Sequence, residues 1–127
     1  MPTPFVPKGW LVEKHQKGGL WKFDPAAILF YLSKKQRKRN INGYDLQKEL
    51  ANKKVLNANV LDWLLIHQEL IPEEWKDKYI FFWGTIYRCS AGPLYVRYLD
   101  RHDSQWLWEY YWLDSDFDSD DPAALAS

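Results

Sequence analysis

The spacing of apolar residues follows a helical period in the first part of the chain and alternates as in strands in the last part. Residues 24–39 begin with Asp24, a residue type favoured at helix N-caps, and Pro25 suits the first helical position. Apolar residues fill the body, and the cations at the end favour the negative end of a helix dipole. These features predict a helix over the whole segment. The prolines among residues 1–23 exclude a helix there and predict an extended arm or a loose hairpin.

Two further helices are predicted before the strands begin. Leu46 and Leu50 lie four residues apart, and therefore on one face of a short helix that Asn42 caps. Asn57 or Asn59 caps the next helix, whose apolar residues recur at helical spacing until Pro72 stops it. Pro72 also fits the first position of one more turn.

From residue 79 onwards, aromatic and β-branched residues form three runs that turn-forming sequences separate. The runs are residues 79–89, 94–99 and 105–113, and the separators are SAGP and DRHDS. Short links between consecutive strands indicate an antiparallel meander. The acidic segment 114–127 follows the last run and is predicted to be a tail with a mobile end.

Helices that precede strands are typical of an α+β fold. The predicted architecture is about three N-terminal helices packed on a C-terminal three-stranded antiparallel sheet. The predicted divisions are an arm or hairpin at residues 1–23, an α+β domain at residues 24–113 and an acidic tail at residues 114–127. A length of 127 residues suits one domain with its own core.

Assumed turn lengths assign each strand residue to one face of the predicted sheet. A tight turn at SAGP pairs Tyr87 with Val96, and a five-residue DRHDS loop pairs Tyr98 with Trp106. Gly84 falls on the other, mainly aliphatic face, where it marks a bulge or lets a helix come close. The predicted aromatic face consists of Phe81, Trp83, Tyr87, Val96, Tyr98, Trp106, Trp108, Tyr110 and Trp112.

Two interpretations of this aromatic face stay open. In the first, the side chains are core, covered by helices, by the N-terminal arm or by a second copy in a homo-oligomer. In the second, part of the face is an exposed platform on which a planar base, a sugar ring or a peptide side chain stacks. The second predicts a small non-enzymatic binding or interaction module for a protein or another ligand. Its candidate binding residues are Trp83, Tyr87, Trp106, Trp108, Arg88 and Arg97, and at least two of the four aromatics are expected to be more than a third exposed.

The net charge of zero is a cancellation between two oppositely charged parts of the chain. Residues 1–56 hold twelve Lys or Arg against four Asp or Glu, and residues 57–127 hold five against thirteen. This asymmetry indicates either a charged partner or two parts that face and neutralise each other. Pairing of the acidic tail with the basic run, or capture of a partner by that tail, is a further hypothesis.

Nucleic-acid binding is the alternative function. Residues 46–66 have the apolar spacing of a helix-turn-helix motif, although Val55 occupies the turn position that favours glycine. The second helix of this motif carries no Lys or Arg, and a plain pair of antiparallel helices explains the same spacing. The candidate nucleic-acid contacts are the basic residues of segment 34–39, namely Lys34, Lys35, Arg37, Lys38 and Arg39.

Motifs for catalysis, cofactors and metals are missing from the sequence. His15, His67 and His102 share no motif, and Cys89 is the lone cysteine, which excludes an internal disulfide and a cysteine-based zinc site. The sequence DFDSDD resembles the opening of a calcium loop but lacks its glycine and its final glutamate. We therefore expect a protein without cofactor or metal that is not an enzyme.

The absence of a signal-peptide pattern and of a long apolar run predicts a cytoplasmic protein without a membrane partner. The motifs IPEEWK, FFWGTIYR, YVRYL and WLD, in this order, resemble those of a group of small bacterial proteins to which no activity is attached. The resemblance covers about residues 24–124. It implies a free-standing domain of the bacterial cytosol and carries no catalytic or binding residue.

Overall fold

The computed structural model describes residues 4–17, 24, 27–90 and 92–126. These residues form a seven-stranded curled sheet, shaped like half a barrel, together with a two-stranded sheet and three helices. The predicted fold of three helices on a three-stranded sheet is therefore wrong. Residues 18–23 of the predicted arm or hairpin and the predicted helix position of Pro25 lie outside the described residues.

Short strands and helices follow one another in mixed order along the chain. Two 3-10 helices, Gln68–Leu70 and Glu73–Asp77, connect the last α-helix to the strands that follow it, and Pro72 stands immediately before the second one. The strands and α-helices are β1 (Trp10–His15), β2 (Ile28–Tyr31), α1 (Lys34–Lys38), β3 (Ile41–Asn42), α2 (Gly43–Leu50), α3 (Ala58–Ile66), β4 (Ile80–Phe81), β5 (Thr85–Cys89), β6 (Leu94–His102), β7 (Gln105–Trp112), β8 (Asp116–Phe117) and β9 (Ala123–Ala126).

Strand β6 is the centre of the large sheet. It pairs with β7 along one edge and with both β4 and β5 along the other, all antiparallel. Strand β1 extends the sheet beyond β5, whereas β9 runs parallel to β4 and then pairs with β2. The sheet curls strongly, because the ring centroids of Trp10 in β1 and Tyr110 in β7 are 5.0 Å apart although two strands lie between them.

The β6–β7 hairpin closes with a two-residue turn. Asp103 and Ser104 have φ angles of 47° and 68°, the left-handed conformation that tight hairpins require. The predicted five-residue loop is therefore wrong, and Tyr98 lies opposite Glu109 rather than Trp106. Because side chains alternate along a strand, this shift exchanges the faces of β6 relative to β7.

The predicted aromatic face is also wrong at β5. Tyr87 pairs with Tyr95 instead of Val96, and a turn between β4 and β5 places Phe81 and Tyr87 on opposite faces. We call the two sides the Arg97 face and the Phe81 face. The Arg97 face carries Tyr87, Tyr95, Arg97, Leu99, Trp106, Trp108, Tyr110 and Trp112, and the Phe81 face carries Phe81, Ile86, Val96, Tyr98, Glu109 and Tyr111.

Both faces carry a hydrophobic core. On the Arg97 face, Leu61 and Leu64 of α3 pack with Leu99 and Trp106 of the sheet. On the Phe81 face, Leu46 and Leu50 of α2 pack with Phe81, Val96 and Phe117 in a second cluster. Helices therefore cover parts of both sides of the sheet.

Gly84 allows the start of α3 to approach the sheet. Its N–H donates to the carbonyl of Leu56 at 2.9 Å, and a Cβ atom there would lie 2.7 Å from that same oxygen. Asn57, the N-cap of α3, would be only 2.8 Å from the added carbon. The prediction that Gly84 lets a helix come close is confirmed.

The predicted helix over residues 24–39 is wrong in its first part. Residues 28–31 form β2, which pairs with β9 at the other end of the chain, and a helix begins only behind Ser33. Ser33 and Gln36 form a reciprocal capping box there. The predicted helices behind Asn42 and Asn57 are confirmed at their starts, since both asparagines cap them through their side chains. The second ends at Ile66 and not at Pro72, because a separate 3-10 helix follows it.

The segment predicted as an acidic tail belongs to the folded domain. Strand β8 pairs with β3, and β9 lies between β4 and β2 inside the large sheet. Phe117, Ala123 and Ala124 are buried. Residues 114–126 thus complete both sheets instead of projecting from the domain.

Candidate functional site

Arg97 is the centre of a buried polar and aromatic cluster. Its two terminal nitrogens bind both carboxylate oxygens of Asp62 in α3, at 2.7 and 3.3 Å, and one of them also donates to the Tyr87 hydroxyl at 3.3 Å. The guanidinium carbon lies 4.3 Å from the Trp108 ring centre and 5.2 Å from that of Phe5. A buried arginine needs such partners, because an unpaired charge in the core is strongly destabilising.

The predicted aromatic platform is covered in the folded chain. Trp83, Tyr87 and Trp106 are 4%, 0% and 6% exposed, and Trp108 is half-buried. The expectation that two of these four would be more than a third exposed is wrong. The structure brings Tyr87, Trp108 and Arg97 together, places Trp106 elsewhere on the same face against α3, and places Trp83 in the core of the Phe81 face.

Arg88 takes no part in that cluster. It is half-exposed, pairs with Glu13 of β1 at 2.7 Å and donates to the carbonyl of Gly92 at 2.7 Å. The hydrogen bond and charge of Arg88 lower the pKa of the Glu13 carboxyl. Arg88 therefore joins β1 to the β5–β6 turn at the surface.

A pocket of about 270 Å³ opens on the Phe81 face beside the C-terminal segment. Aromatic rings attract cations over their faces, and carboxylates attract them by charge, so this lining favours a cationic group. We call it the acidic aromatic pocket. Its lining residues are Tyr79, Phe81, Tyr98, Tyr111, Asp116, Asp118, Asp120 and Asp121.

Three strands supply the aromatic wall. Phe81 and Tyr98 are directly opposite in β4 and β6, and their ring centres are 4.6 Å apart. Tyr79, just before β4, meets Tyr98 edge-on at 5.6 Å. Tyr111 of β7 completes the wall at 6.1 Å from Phe81. The pairing of β4 with β6 fixes the backbone positions from which the Phe81 and Tyr98 rings extend.

The acidic side of the pocket is a folded loop between β8 and β9. Gln36 of α1 donates to the carbonyls of Asp118 and Asp121 at 3.0 and 2.9 Å. Within the loop, the Asp118 N–H donates to a carboxylate oxygen of Asp121 and the Asp120 N–H donates to one of Asp118. These bonds hold three carboxyl groups close together.

The aspartates of the pocket shift the pKa values of their neighbours. Burial, followed by the nearby charges of Asp118 and Asp120, raises the pKa of Asp121 to about 7, while the hydrogen bond from the Asp118 N–H opposes this shift. Burial and neighbouring carboxylates raise the pKa of Tyr98 to about 12. Among the described residues, no Lys or Arg forms an ion pair with an aspartate of the pocket.

Sequence analysis missed this pocket as a unit. It assigned Phe81 and Tyr98 to a face with Tyr87, and it compared the aspartates with a calcium loop. The usable signal was the alternation of Asp around Phe117 directly behind an aromatic strand. In the part of the chain that the structure describes, no group of three or more His, Cys, Asp or Glu residues is arranged to hold a metal ion.

Exposed aromatic residues continue from the pocket along β7. Tyr110, Tyr111 and Trp112 are 46%, 37% and 54% exposed. Tyr111 faces the pocket, whereas its two neighbours lie on the Arg97 face. In the described residues β7 pairs with β6 alone, so its other side is an edge of the sheet.

The candidate nucleic-acid residues are all at the surface. Lys34, Lys35, Arg37, Lys38 and Arg39, on α1 and at its end, are exposed. The helix that would read bases, α3, has its cap residue Asn57 buried and its Asp62 bound to Arg97.

No protein-family model matches the chain, and searches of curated proteins and of solved structures find no match either. Within the described residues, none of the helices combines the length and the apolar character that crossing a membrane requires. Arguments about function therefore depend on the geometry of the surface.

Proposed function

We propose that the protein is a small non-enzymatic binding module that holds a cationic group of its ligand in the acidic aromatic pocket. The observation that carries this proposal is the shared lining of one cavity by four aromatic rings and four aspartates. The volume suits a single ammonium or guanidinium group with a short apolar stem. Larger ligands would contact the pocket through such a group.

The pocket is built to favour a bound cation over water. A cation–π contact is worth about 2 kcal/mol when it is desolvated. Asp121 is buried and pairs with no cation among the described residues, which is costly for a carboxylate, and a ligand cation would remove that cost. Strongly shifted carboxyl groups in a cleft are typical of functional sites.

The test is a titration of the full chain with methylguanidinium chloride and with tetramethylammonium chloride, followed by NMR and calorimetry, with sodium chloride as the ionic control. We expect saturable binding with shifts at Tyr98 and Tyr111. Tyr111→Ala should weaken binding about two- to fivefold, the range for a partly exposed cation–π contact. Trp112→Ala is the matched control, because this neighbouring side chain lies on the other face.

Protonation gives the same experiment a second readout. Since Asp121 has a pKa of about 7, the carboxylate form that attracts a cation prevails above that pH. Affinity should therefore rise between pH 6 and pH 8, and binding should release protons. The proposal would be contradicted if neither cation bound saturably. It would also be contradicted if Tyr111→Ala and Trp112→Ala weakened binding equally.

Nucleic-acid binding is the second candidate function, and the exposure of five cations around α1 favours it. It is tested by binding to duplex and single-stranded DNA and RNA at increasing salt. A phosphate-dependent interaction weakens steeply with salt. Binding that is absent at low salt, or that salt does not change, would exclude this function.

A further inference from the structure

The outer edge of β7 offers hydrogen-bonding groups of the main chain. The Leu113 N–H donates to the Leu94 carbonyl at 3.1 Å, so these opposite residues form a hydrogen-bonded pair. Pairs alternate along an antiparallel ladder. Glu109 and Tyr111 therefore bond to β6, whereas Trp108, Tyr110 and Trp112 direct their N–H and C=O groups away from it.

At Trp106, the position of this edge next to the β6–β7 turn, the side chain of Gln68 already caps the edge. The amide of Gln68 accepts the Trp106 N–H at 3.3 Å and donates to the Trp106 carbonyl at 3.1 Å. A side-chain amide thus makes both bonds that a residue of a neighbouring strand would make. Beyond this cap, the outward main-chain groups of Trp108, Tyr110 and Trp112 have no hydrogen-bond partner within the described residues.

The two sides of the edge differ in chemistry. Tyr110 and Trp112 present exposed aromatic surface on the Arg97 face. Glu109 and Tyr111 lie on the Phe81 face, where Tyr111 leads into the acidic aromatic pocket. An added strand would therefore place every second side chain against aromatic rings and the others against negative charge.

We propose that β7 binds an extended peptide segment of a partner protein as an additional strand, with basic residues alternating with apolar ones. The backbone of the segment satisfies the outward groups of β7. Its apolar side chains cover Tyr110 and Trp112, and a basic side chain enters the pocket. The choice of a basic residue rests on the proposed function, whereas strand addition rests on the edge itself.

Charge complementarity favours such a partner over a second copy of the chain. Pairing of two β7 strands across a twofold axis would place two acidic pockets on the same side of the joined sheet, and an axis at Glu109 would also place its two copies opposite each other. Like charges opposite each other destabilise paired strands. A basic segment instead supplies the cations that the pocket lacks.

The probe is an acetylated, amidated seven-residue peptide that alternates valine and arginine, compared with a scrambled peptide of the same composition. Binding is followed by tryptophan fluorescence and NMR of the full chain. In a strand, alternate amides point to the same side. One set of amides, either that of the valines or that of the arginines, should therefore face β7, and N-methylation of that set should weaken binding at least tenfold. N-methylation of the other set should have no such effect. The sensitive set also reports whether the added strand is antiparallel or parallel.

A protein variant provides the matching test. Trp112→Pro removes an outward N–H without removing a bond to β6, and Trp112→Ala removes the same side chain but keeps that N–H. We expect the proline variant to bind the peptide at least fivefold more weakly than the alanine variant. Both should bind methylguanidinium like the parent protein.

The outcomes separate the two proposals. If methylguanidinium binds but the alternating peptide binds no better than the scrambled one, or if both N-methylated sets weaken it equally, strand addition is overturned and the proposed function stands. If neither methylguanidinium nor the peptide binds, both are overturned. Sedimentation showing a dimer that Trp112→Pro abolishes would replace the peptide by a second copy.

Discussion

The carboxyl group of Asp121 is buried beside three other aspartates, with a main-chain N–H as its donor and no cation paired with it in the described residues. In the unfolded chain its pKa is near the ordinary value of 3.8, whereas in the folded protein it is about 7. Between these pH values the folded state holds a proton that the unfolded state has lost. The contribution of this group to stability is therefore full below about pH 4 and falls as the pH rises to 7.

Asp121→Asn should remove the fall in stability that Asp121 causes as the pH rises from 4 to 7. Asparagine keeps an acceptor for the Asp118 N–H but carries no charge, so we expect the free energy of unfolding at pH 8 to rise by about 1–3 kcal/mol relative to the parent, with little change at pH 4. Urea denaturation at both pH values measures the difference. Asp120→Asn removes only one of the charges that raise the pKa of Asp121, so its gain at pH 8 should be smaller than that of Asp121→Asn. A gain for Asp121→Asn that is independent of pH would contradict the assigned pKa.

At the scale of elements, local signals predicted what local contacts determine. The caps Asn42 and Asn57 define two helices because the capping bonds lie within a few residues. Strand β2 escaped prediction because its Ile, Leu, Phe and Tyr residues pair with β9, a segment of alanine and leucine almost one hundred residues later. Nothing in that segment has strong strand propensity, so its place in the sheet depends on tertiary context.

The strand register was predicted wrongly for a similar reason, and the acidic aromatic pocket was therefore not predicted either. The two-residue turn at Asp103 and Ser104 contains no glycine, although both residues have positive φ. The break between β4 and β5 also exchanges faces. Alternation with the assumed turns therefore places Phe81 and Tyr98 together, as the structure does, but adds Tyr87 to them and leaves Tyr111 on the other side.

The contact between α3 and the sheet at Gly84 can be tested by one methyl group. Gly84→Ala places a Cβ within 2.8 Å of main-chain atoms of Leu56 and Asn57, which cannot move as a flexible side chain can. We expect a loss of more than about 2 kcal/mol in the free energy of unfolding, comparable with an overpacked core.

Gly9→Ala is the comparison for that measurement. Gly9 has a φ of 86° but no atom near its added Cβ, so its cost should be backbone strain alone, about 1 kcal/mol. If urea denaturation shows Gly84→Ala to be no more destabilising than Gly9→Ala, α3 does not pack against the sheet as closely as the structure has it.

At the scale of the molecule, the two oppositely charged parts of the chain are interleaved in one sheet. The ion pair that joins them in the described residues, Arg88 with Glu13, uses a cation of the acidic part and a carboxylate of the basic part. Strands β1 and β2 from the basic part pair with β5 and β9 from the acidic part. None of the ion pairs in the described residues joins a cation of residues 1–56 to a carboxylate of residues 57–127. The exposed cations of α1 and the acidic aromatic pocket therefore remain available for charged partners.

The sheet is completed by the last strand of the chain. Strand β9 bonds to β4 on one side and to β2 on the other, and the Leu56 N–H and the Lys54 carbonyl also bond to it. We expect deletion of residues 122–127 to abolish the cooperative unfolding transition, because β2 then has no partner in the sheet and both cores lose a buried alanine. Circular dichroism during urea denaturation and the dispersion of NMR amide signals measure this.

Two point variants separate the loss of the strand from the loss of chain length. Ala124→Lys places a charge at a fully buried position and should destabilise the protein by about 3 kcal/mol or more. Leu125 is only partly buried and lies opposite the exposed Leu29, so Leu125→Lys should leave the protein folded. Equal tolerance of both lysines would mean that β9 is not held between β4 and β2. If the deletion variant still folds, the C-terminal segment would be independent of the domain, as the predicted acidic tail is.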